Sequence, residues 1–262
     1  MRALSTAATG MAAQQLNVEV ISNNIANMNT VGFKRQRAEF QDLLYQDLER
    51  AGAQSSSNGN TVPTGIQVGA GVKTGTVYRI MDEGSMTQTG NQLDLGINGR
   101  GYFQVTMPDG STAYTRAGNL SMNQDGQLVT SDGYLVQPAI TIPTNSTGIT
   151  VSATGQVQVN VPGQTTPQAV GQLTIANFTN EAGLEAMGQN LFTVSGSSGA
   201  ASTGNPGDPG FGTLMQGYTE SSNVDAVTEI TALITAQRAY EMNSKVVSTA
   251  DQMLSTTNQM KS

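Results

Sequence analysis

Apolar residues recur by sevens at both ends of this chain and by twos in its middle. Over 1–30, Leu4, Met11, Val18 and Ile25 form one column spaced by seven, and Ala7, Gln14, Ile21 and Met28 form a second, three positions on. This is an a/d seam held through four heptads, the pattern of a helix that packs lengthwise on another helix. Gln14 is its polar position, and Gly10 weakens the helix by about 1 kcal/mol relative to Ala. Over 220–262 the arrangement returns: Leu233, Tyr240, Val247 and Leu254, with Ala236, Asn243, Ala250 and Thr257 three positions on. Val246, Met253 and Met260 widen that stripe, and Ser222 with Asp225 fits a variant of the capping box before it. Either helix alone would be marginal in water. The two ends are therefore expected to pack on each other and on other chains.

Between them the period changes. YFQVTM, PDG and STAYTR read as a hairpin turning at 108–110. NQDG at 123–126, SDG at 131–133 and ATG at 153–155 separate further short runs, and QLTIANF and NLFTVS supply two more strands. Many short strands between closely spaced turns predict a sandwich or barrel-like β domain over 85–205. The expected class is α+β: N- and C-terminal α-helices (1–30 and 220–262) forming a coiled-coil-like helical domain, with a central mainly-β domain inserted between them. Residues 31–84 and 206–219 connect the two. Within them AGAQSSSNGNTVPTG (51–65) follows the amphipathic FQDLLYQDL, and together with GSSGAASTGNPGDPGFG (196–212) it reads as extended loop.

Composition narrows the chemistry. The 262 residues include no Cys and no His, which excludes disulfides, structural zinc and thiol or imidazole catalysis. Only 12% are charged, about half the usual share, and Gly, Ser, Thr, Asn and Gln fill the gap. A net charge of −7 argues against a nucleic-acid partner, which needs a basic stripe. Gly99, Arg100 and Gly101 begin a dinucleotide fingerprint that Gln104 breaks, and no phosphate-loop motif exists. SMNQDGQLVTSD (121–132) approaches a calcium loop, but Ser121 and Asp132 stand at its two defining ends and the flanks read as strands. Asp82, Glu83, Asp94, Asp109, Asp125 and Asp132 offer no pair that spacing selects for glycoside hydrolysis, and read as solvated turn residues. No enzyme activity, cofactor or metal is expected. No run reaches the roughly 18–20 apolar residues of a membrane span, so no membrane insertion is expected. MRALSTAATGMAAQQL lacks the apolar region of a cleaved signal peptide, so any export would leave this end intact.

The first seam runs into a distinctive polar cluster, ISNNIANMNTVGFKRQR (21–37). Ile21, Ile25 and Met28 end the seam. Asn23, Asn24, Asn27 and Asn29, with Thr30, suit bonds to backbone groups at the helix end or on a neighbour. Gly32 permits a bend that Phe33 anchors. Lys34, Arg35 and Arg37 read as a solvated helix end.

Three stretches resemble one known family. SNNIANMNTVGFK (22–34), GYTESSNVDAVTEITALITAQRAYEMNSKVVSTADQML (217–254), and INGRGYFQV with YTRAGNLSMNQDGQLVTSDGYLVQP (within 97–138) are similar to the signatures of bacterial flagellar rod and hook axial proteins. VPTGIQVGAGV (62–72), VGQLTIANFTNEAGLEAMGQNLF (170–192) and the long 41–65 extension resemble the distal rod type of that family. The resemblance implies a structural subunit of the basal-body rod, polymerising as a homo-oligomeric helical filament. The terminal helices would form the inner wall of a straight hollow tube, with the β domain outward and 41–65 bracing neighbours. It further implies other rod and hook proteins, the LP-ring bushing and the flagellar type III export apparatus as partners. The implied location is the distal rod in the periplasm, reached without signal cleavage. A proximal rod or hook-type subunit is the alternative within the family, and a secreted β-rich adhesin the alternative outside it.

Overall fold

The computed structural model describes residues 2–49, 64–164 and 166–260, so most of the 51–65 stretch lies outside the described residues. The chain divides into two compact units: 1–25 with 36–78 and 226–262, and 26–35 with 79–225.

The first unit carries both long helices, α1 (Arg2–Ala26) and α2 (Ala226–Gln259). Ala is the commonest residue of α1, no Pro interrupts either helix, and Gly10 is the lone glycine in them. The helices run antiparallel. Asn24 Nδ2 donates to Glu229 Oε2 at 3.1 Å, while Gly10 lies beneath Asn243, so closely that a Cβ there would come within 2.9 Å of Nδ2. The amphipathic FQDLLYQDL is extended rather than helical: it divides between β1 (Gln36–Asp42) and β2 (Tyr45–Glu49). Antiparallel to β2 runs β3 (Ile66–Gly69), and β4 (Val72–Arg79) pairs with β1. The ribbon meets α1 where Val72 N–H donates to Thr9 Oγ1 at 3.3 Å.

The second unit is almost wholly β and antiparallel. Short pairs join β5 (Met86–Gln88) to β20 (Tyr218–Glu220), and β6 (Leu95–Asn98) to β19 (Thr213–Gln216). The main sheet turns on β7 (Tyr102–Thr106). Along one edge β7 pairs with β8 (Thr112–Thr115), and on the other it is shared between β11 (Leu135–Gln137) and β15 (Ile175–Asn177). Beyond β11 lie β10 (Leu128–Val129) and β9 (Ser121–Met122); beyond β8 lie β17 (Leu191–Thr193) and β16 (Glu185–Gly188). A separate three-stranded sheet holds β12 (Gly148–Val151), β13 (Gln156–Asn160) and β14 (Gln168–Gln172). Every predicted turn falls between strands: 108–110 closes β7 on β8, 123–126 joins β9 to β10, and 153–155 joins β12 to β13.

The alternation expected of half-buried strands is visible in β13, where Val157 and Val159 are buried between Gln156 and Asn160. They join Leu95, Ile97, Phe103, Val105, Ile142, Leu173 and Ile175 in the main core. The neighbouring β7 residue, Tyr102, serves a second cluster with Tyr114, Phe178 and Phe192. Its rings meet edge to face, Tyr114 and Phe178 with centroids 4.8 Å apart.

Three expectations need correction. The stretch 196–212 is not plain loop, since β18 (Ser202–Gly204) pairs with β15 and backbone bonds close the turn from Gly207 to Gly212. Ser222 does not cap α2: its Oγ accepts from Val224 N–H at 3.3 Å, within a turn that precedes the helix, and Asp225 is the residue next to it. Asp94 is not a solvated turn carboxylate. It is buried and accepts from Thr89 Oγ1 at 2.5 Å and Asn91 Nδ2 at 3.0 Å.

Candidate functional site

The heptad residues lie on the two helices with very unequal cover. Ile21 and Ala236 are buried, and Leu4, Met11, Val18, Ile25, Leu233 and Val247 are half-buried. Tyr240 and Leu254 are exposed, and Met28 falls beyond α1 in the turn that follows it. The remaining buried positions of α1 are Ala7, Ala13, Val20 and Asn24. Along α2 several large side chains stay outside: Val227 keeps 74% of its surface, Met242 64% and Met253 61%, and Met260 just past the helix end keeps 78%. So much uncovered apolar surface on one helix is the mark of a contact surface.

The polar cluster after α1 resolves into two sets of contacts, one in each unit. In the first unit Asn24 is buried and acts as a clamp. Its Oδ1 accepts from Gln36 N–H and its Nδ2 donates to Gln36 C=O, both at 2.8 Å, so the side chain pairs with the start of β1 as a neighbouring strand would. Asn23 is exposed on the same helix.

In the second unit, residues 26–35 form a strap against the β structure. Thr30 N–H donates to Asn27 C=O at 3.1 Å and Thr30 Oγ1 to Asn27 Oδ1 at 3.3 Å, closing the turn. Phe33 N–H donates to Thr30 C=O, and Phe33 is half-buried. Gly32 has φ +70 and sits so close to the backbone of Arg116 and Ala117 that a Cβ would meet it at 2.9 Å. Only glycine suits both the left-handed turn and that approach. Its N–H donates to Glu220 C=O at 2.8 Å, and Asn190 Nδ2 donates to Val31 C=O at 2.9 Å.

Beneath the strap lies a buried charge cluster. Lys34 Nζ and Arg116 Nε each reach Glu220 at 2.6 Å, one to each carboxylate oxygen. Gly84 N–H adds a bond to Glu220 Oε1 at 2.9 Å, and Lys34 Nζ also donates to Asp82 C=O at 2.7 Å. Arg116 also donates to the carbonyls of Ile97, Gly99 and Gly101. Burial on its own would raise the Glu220 carboxyl, but Arg116 and then Lys34 outweigh it and hold the group below its ordinary value. Burial lowers Lys34 despite the opposing pull of Glu220. Such a cluster costs desolvation and is kept intact by its pairing; it fastens the strap to β20, which carries Glu220, and to the segment just after β8, where Arg116 lies, rather than adding much net stability.

Lys34 was expected in a solvated helix end, and the structure reverses this. Its relative exposure is 2%, because its partners, the Asp82 carbonyl and the Glu220 carboxylate, lie 48 and 186 positions away along the chain. Arg116 and Glu220 were not singled out at all. The available signal was their setting: single charges inside YTRAG and GYTES, in a chain where charges are scarce.

Beside this cluster is a polar cleft of about 370 Å³ lined by Asp82, Glu83, Arg100, Asn180 and Glu181. Its groups bond one another. Arg100 pairs with Glu181 at 2.7 Å, Tyr102 Oη donates to Glu181 Oε2 at 3.0 Å, and Glu83 accepts from Gly99 N–H. Burial and the Glu181 carboxylate push the Tyr102 hydroxyl well above its ordinary pKa. Among the described residues no group of acidic side chains is arranged to hold a metal ion, and no helix is long and apolar enough to cross a membrane.

Terminal helices of low internal cover flanking a self-contained β region define a structural protein of the axial type. Comparison with known sequences agrees along the whole chain. The model for the flagella basal body rod protein matches residues 4–34, that for the flagellar hook protein FlgE/F/G D1 domain matches 96–159, and that for the flagellar basal body rod FlgEFG protein C-terminal region matches 215–260. The flagellar basal-body rod protein FlgG of Caulobacter vibrioides is 70% identical over 262 residues, covering 100% of both chains. FlgG of Agrobacterium fabrum is 56% identical across 97% of each chain, and that of Borreliella burgdorferi 46% across 100% of this chain and 99% of its own. The chain belongs to the flagellar basal-body rod protein family and is a structural subunit of that rod.

Proposed function

We propose that this chain polymerises with copies of itself into the distal part of the rod, as a straight hollow helical tube. In this reading α1 and α2 form a coiled-coil-like domain, packing on those of neighbouring subunits as the inner wall. The β domain (85–205) faces outward, and the connecting segments, with the 41–65 extension, brace adjacent subunits. The heptad residues Leu4, Met11, Val18, Ile21, Ile25, Leu233, Ala236, Tyr240, Val247 and Leu254 line the seam, and Met28 stands at its end. Head-to-tail contacts that do not close on themselves generate such a filament. The tube transmits torque across the periplasm and passes exported subunits, with no catalytic role. Other rod and hook proteins adjoin its ends, the LP ring surrounds it, and the type III export apparatus delivers the chain without removing its N-terminus.

The observation that carries this reading is the set of exposed apolar side chains along α2, from Val227 to Leu254, on a chain whose relatives are rod proteins along their full length. That full-length agreement also leaves nothing to favour an adhesin. The test is Val18→Asp and Val247→Asp, each made in the full chain and scored for filament formation by sedimentation and for motility. Both are expected to block assembly. Normal assembly and motility in both variants overturn the helical-wall assignment.

A further inference from the structure

Two of the contacts between α1 and α2 share a spacing. Gly10 and Asn24 are 14 positions apart on α1, and Asn243 and Glu229 are 14 positions apart on α2, in the opposite sense. At about 1.5 Å per residue both contacts recur after the same rise of about 21 Å, so the helices keep one alignment between them. Halfway along, Asn17 and Ala236 line the same groove. Extended by one heptad, the column sets Ala3 opposite Ala250, which is buried.

We propose that this column fixes the register of the helix pair: Asn24 with Glu229, Asn17 with Ala236, Gly10 with Asn243, Ala3 with Ala250. It is built from small and polar residues, and at each level except the last-named a larger side chain faces a smaller one or bonds its partner. The large apolar residues of α2 take no part in it. A pure leucine seam is nearly degenerate to a slip of seven residues, whereas a polar position within such a seam specifies one alignment. Sliding α2 by a heptad in one direction sets Asn24 against Ala236, loses its bond to Glu229, and drives Asn17 into Asn243. Sliding it in the other carries Asn24 past the start of α2 and leaves Gly10 facing Ala236 across a gap. Either way a bond between buried Asn24 and Glu229, both 1% exposed, is given up. The proposal rests on the helix pair within one chain and holds whichever segment of the rod the subunit occupies.

The chain has no Cys, so introduced thiols report without background. Ala3→Cys with Ala250→Cys in the full-length protein reports the native register, and Ala3→Cys with Thr257→Cys reports a one-heptad slip. With a short bifunctional thiol reagent at low protein concentration, the first pair is expected to cross-link within the chain at least about tenfold faster than the second. A factor of ten corresponds to about 1.4 kcal/mol, the low end for a bond to a charged group. Gly10→Asn, which opposes Asn to Asn243, is expected to shrink that preference severalfold, while the Asn24–Glu229 bond still favours the native register. The exchange Gly10→Asn with Asn243→Gly swaps large for small across the column and is expected to restore it. Far-UV circular dichroism on each variant separates a changed register from lost helix. Equal rates for the two reporters in the parent chain overturn the proposal, as does a preference left undiminished by Gly10→Asn with helix intact. Failure of the exchanged variant to recover the preference while helix content matches the parent overturns it as well.

Discussion

The two units dispose of their large apolar side chains in opposite ways. In the β unit Phe103, Ile97, Leu173, Ile175 and Val157 are sealed from solvent, and exposure is confined to a few positions such as Met122 and Met187. In the helical unit the buried apolar residues are mostly alanines, Ala7, Ala13, Ala236 and Ala250 with Val20 and Ile21, while Val227, Met242, Met253 and Met260 stand in solvent. One unit completes its core within a single chain; the other holds its larger side chains in reserve. At roughly 25 cal/mol per Å² of apolar surface, that reserve is ample to drive association once partners cover it.

The widest gap between the units is expected from Val246→Asp combined with Met253→Asp. Both sites are exposed, so the free chain should lose less than about 0.5 kcal/mol of stability, yet sedimentation should find no polymer where the parent assembles. A large loss of free-chain stability would break the contrast. Next in size is Glu220→Gln, which leaves Lys34 and Arg116 facing each other without their shared carboxylate. The β unit should lose about 3–5 kcal/mol, read by denaturant unfolding with tyrosine fluorescence, since the chain has no Trp. The helical unit's ellipticity should be little changed. A smaller effect is expected from acid. Because the folded state holds Glu220 below its ordinary value of 4.5, the native carboxylate binds fewer protons than the unfolded one. Its contribution is present in full above about pH 4.5 and lost as pH falls through the depressed value. Unfolding midpoints of the β unit should drop in that window, and Glu220→Gln should remove that part of the drop. The smallest effect is Arg100→Ala: its side chain is 59% exposed, so losing the pair with Glu181 should cost under about 1 kcal/mol by the same unfolding assay.

Local signals were legible in the sequence, and distant pairings were not. The heptads at each end announced the helices because a period of seven survives any tertiary context, and Asp-Gly turns such as 109–110 and 125–126 announced the hairpins. The same pattern gave no reason to single out the small residues between the helices. Close approach of two helices selects small side chains, so Gly10, which sequence reasoning counted as a weakness, sits where a Cβ would meet Asn243 at 2.9 Å. Asn24 was one asparagine among four, and only the return of the chain at Gln36 and Glu229 distinguishes it. Lys34 stood in a basic run that reads as solvated, whereas its burial depends on partners no local window contains. FQDLLYQDL reads only as amphipathic, and the pairing of β1 with β4 and β2 with β3 shows it extended.

The strap and its buried cluster also impose a timetable. Lys34 meets Glu220 across 186 positions, and a ribosome delivers a chain from its N-terminus. Until Glu220 has emerged, the strap has nothing to fasten to and Arg116 has no counter-charge. Closing so long a segment is entropically slow compared with forming a hairpin. The nascent polypeptide therefore elongates through at least those 186 positions without the anchor of its β unit, and acquires it only after Glu220 has emerged.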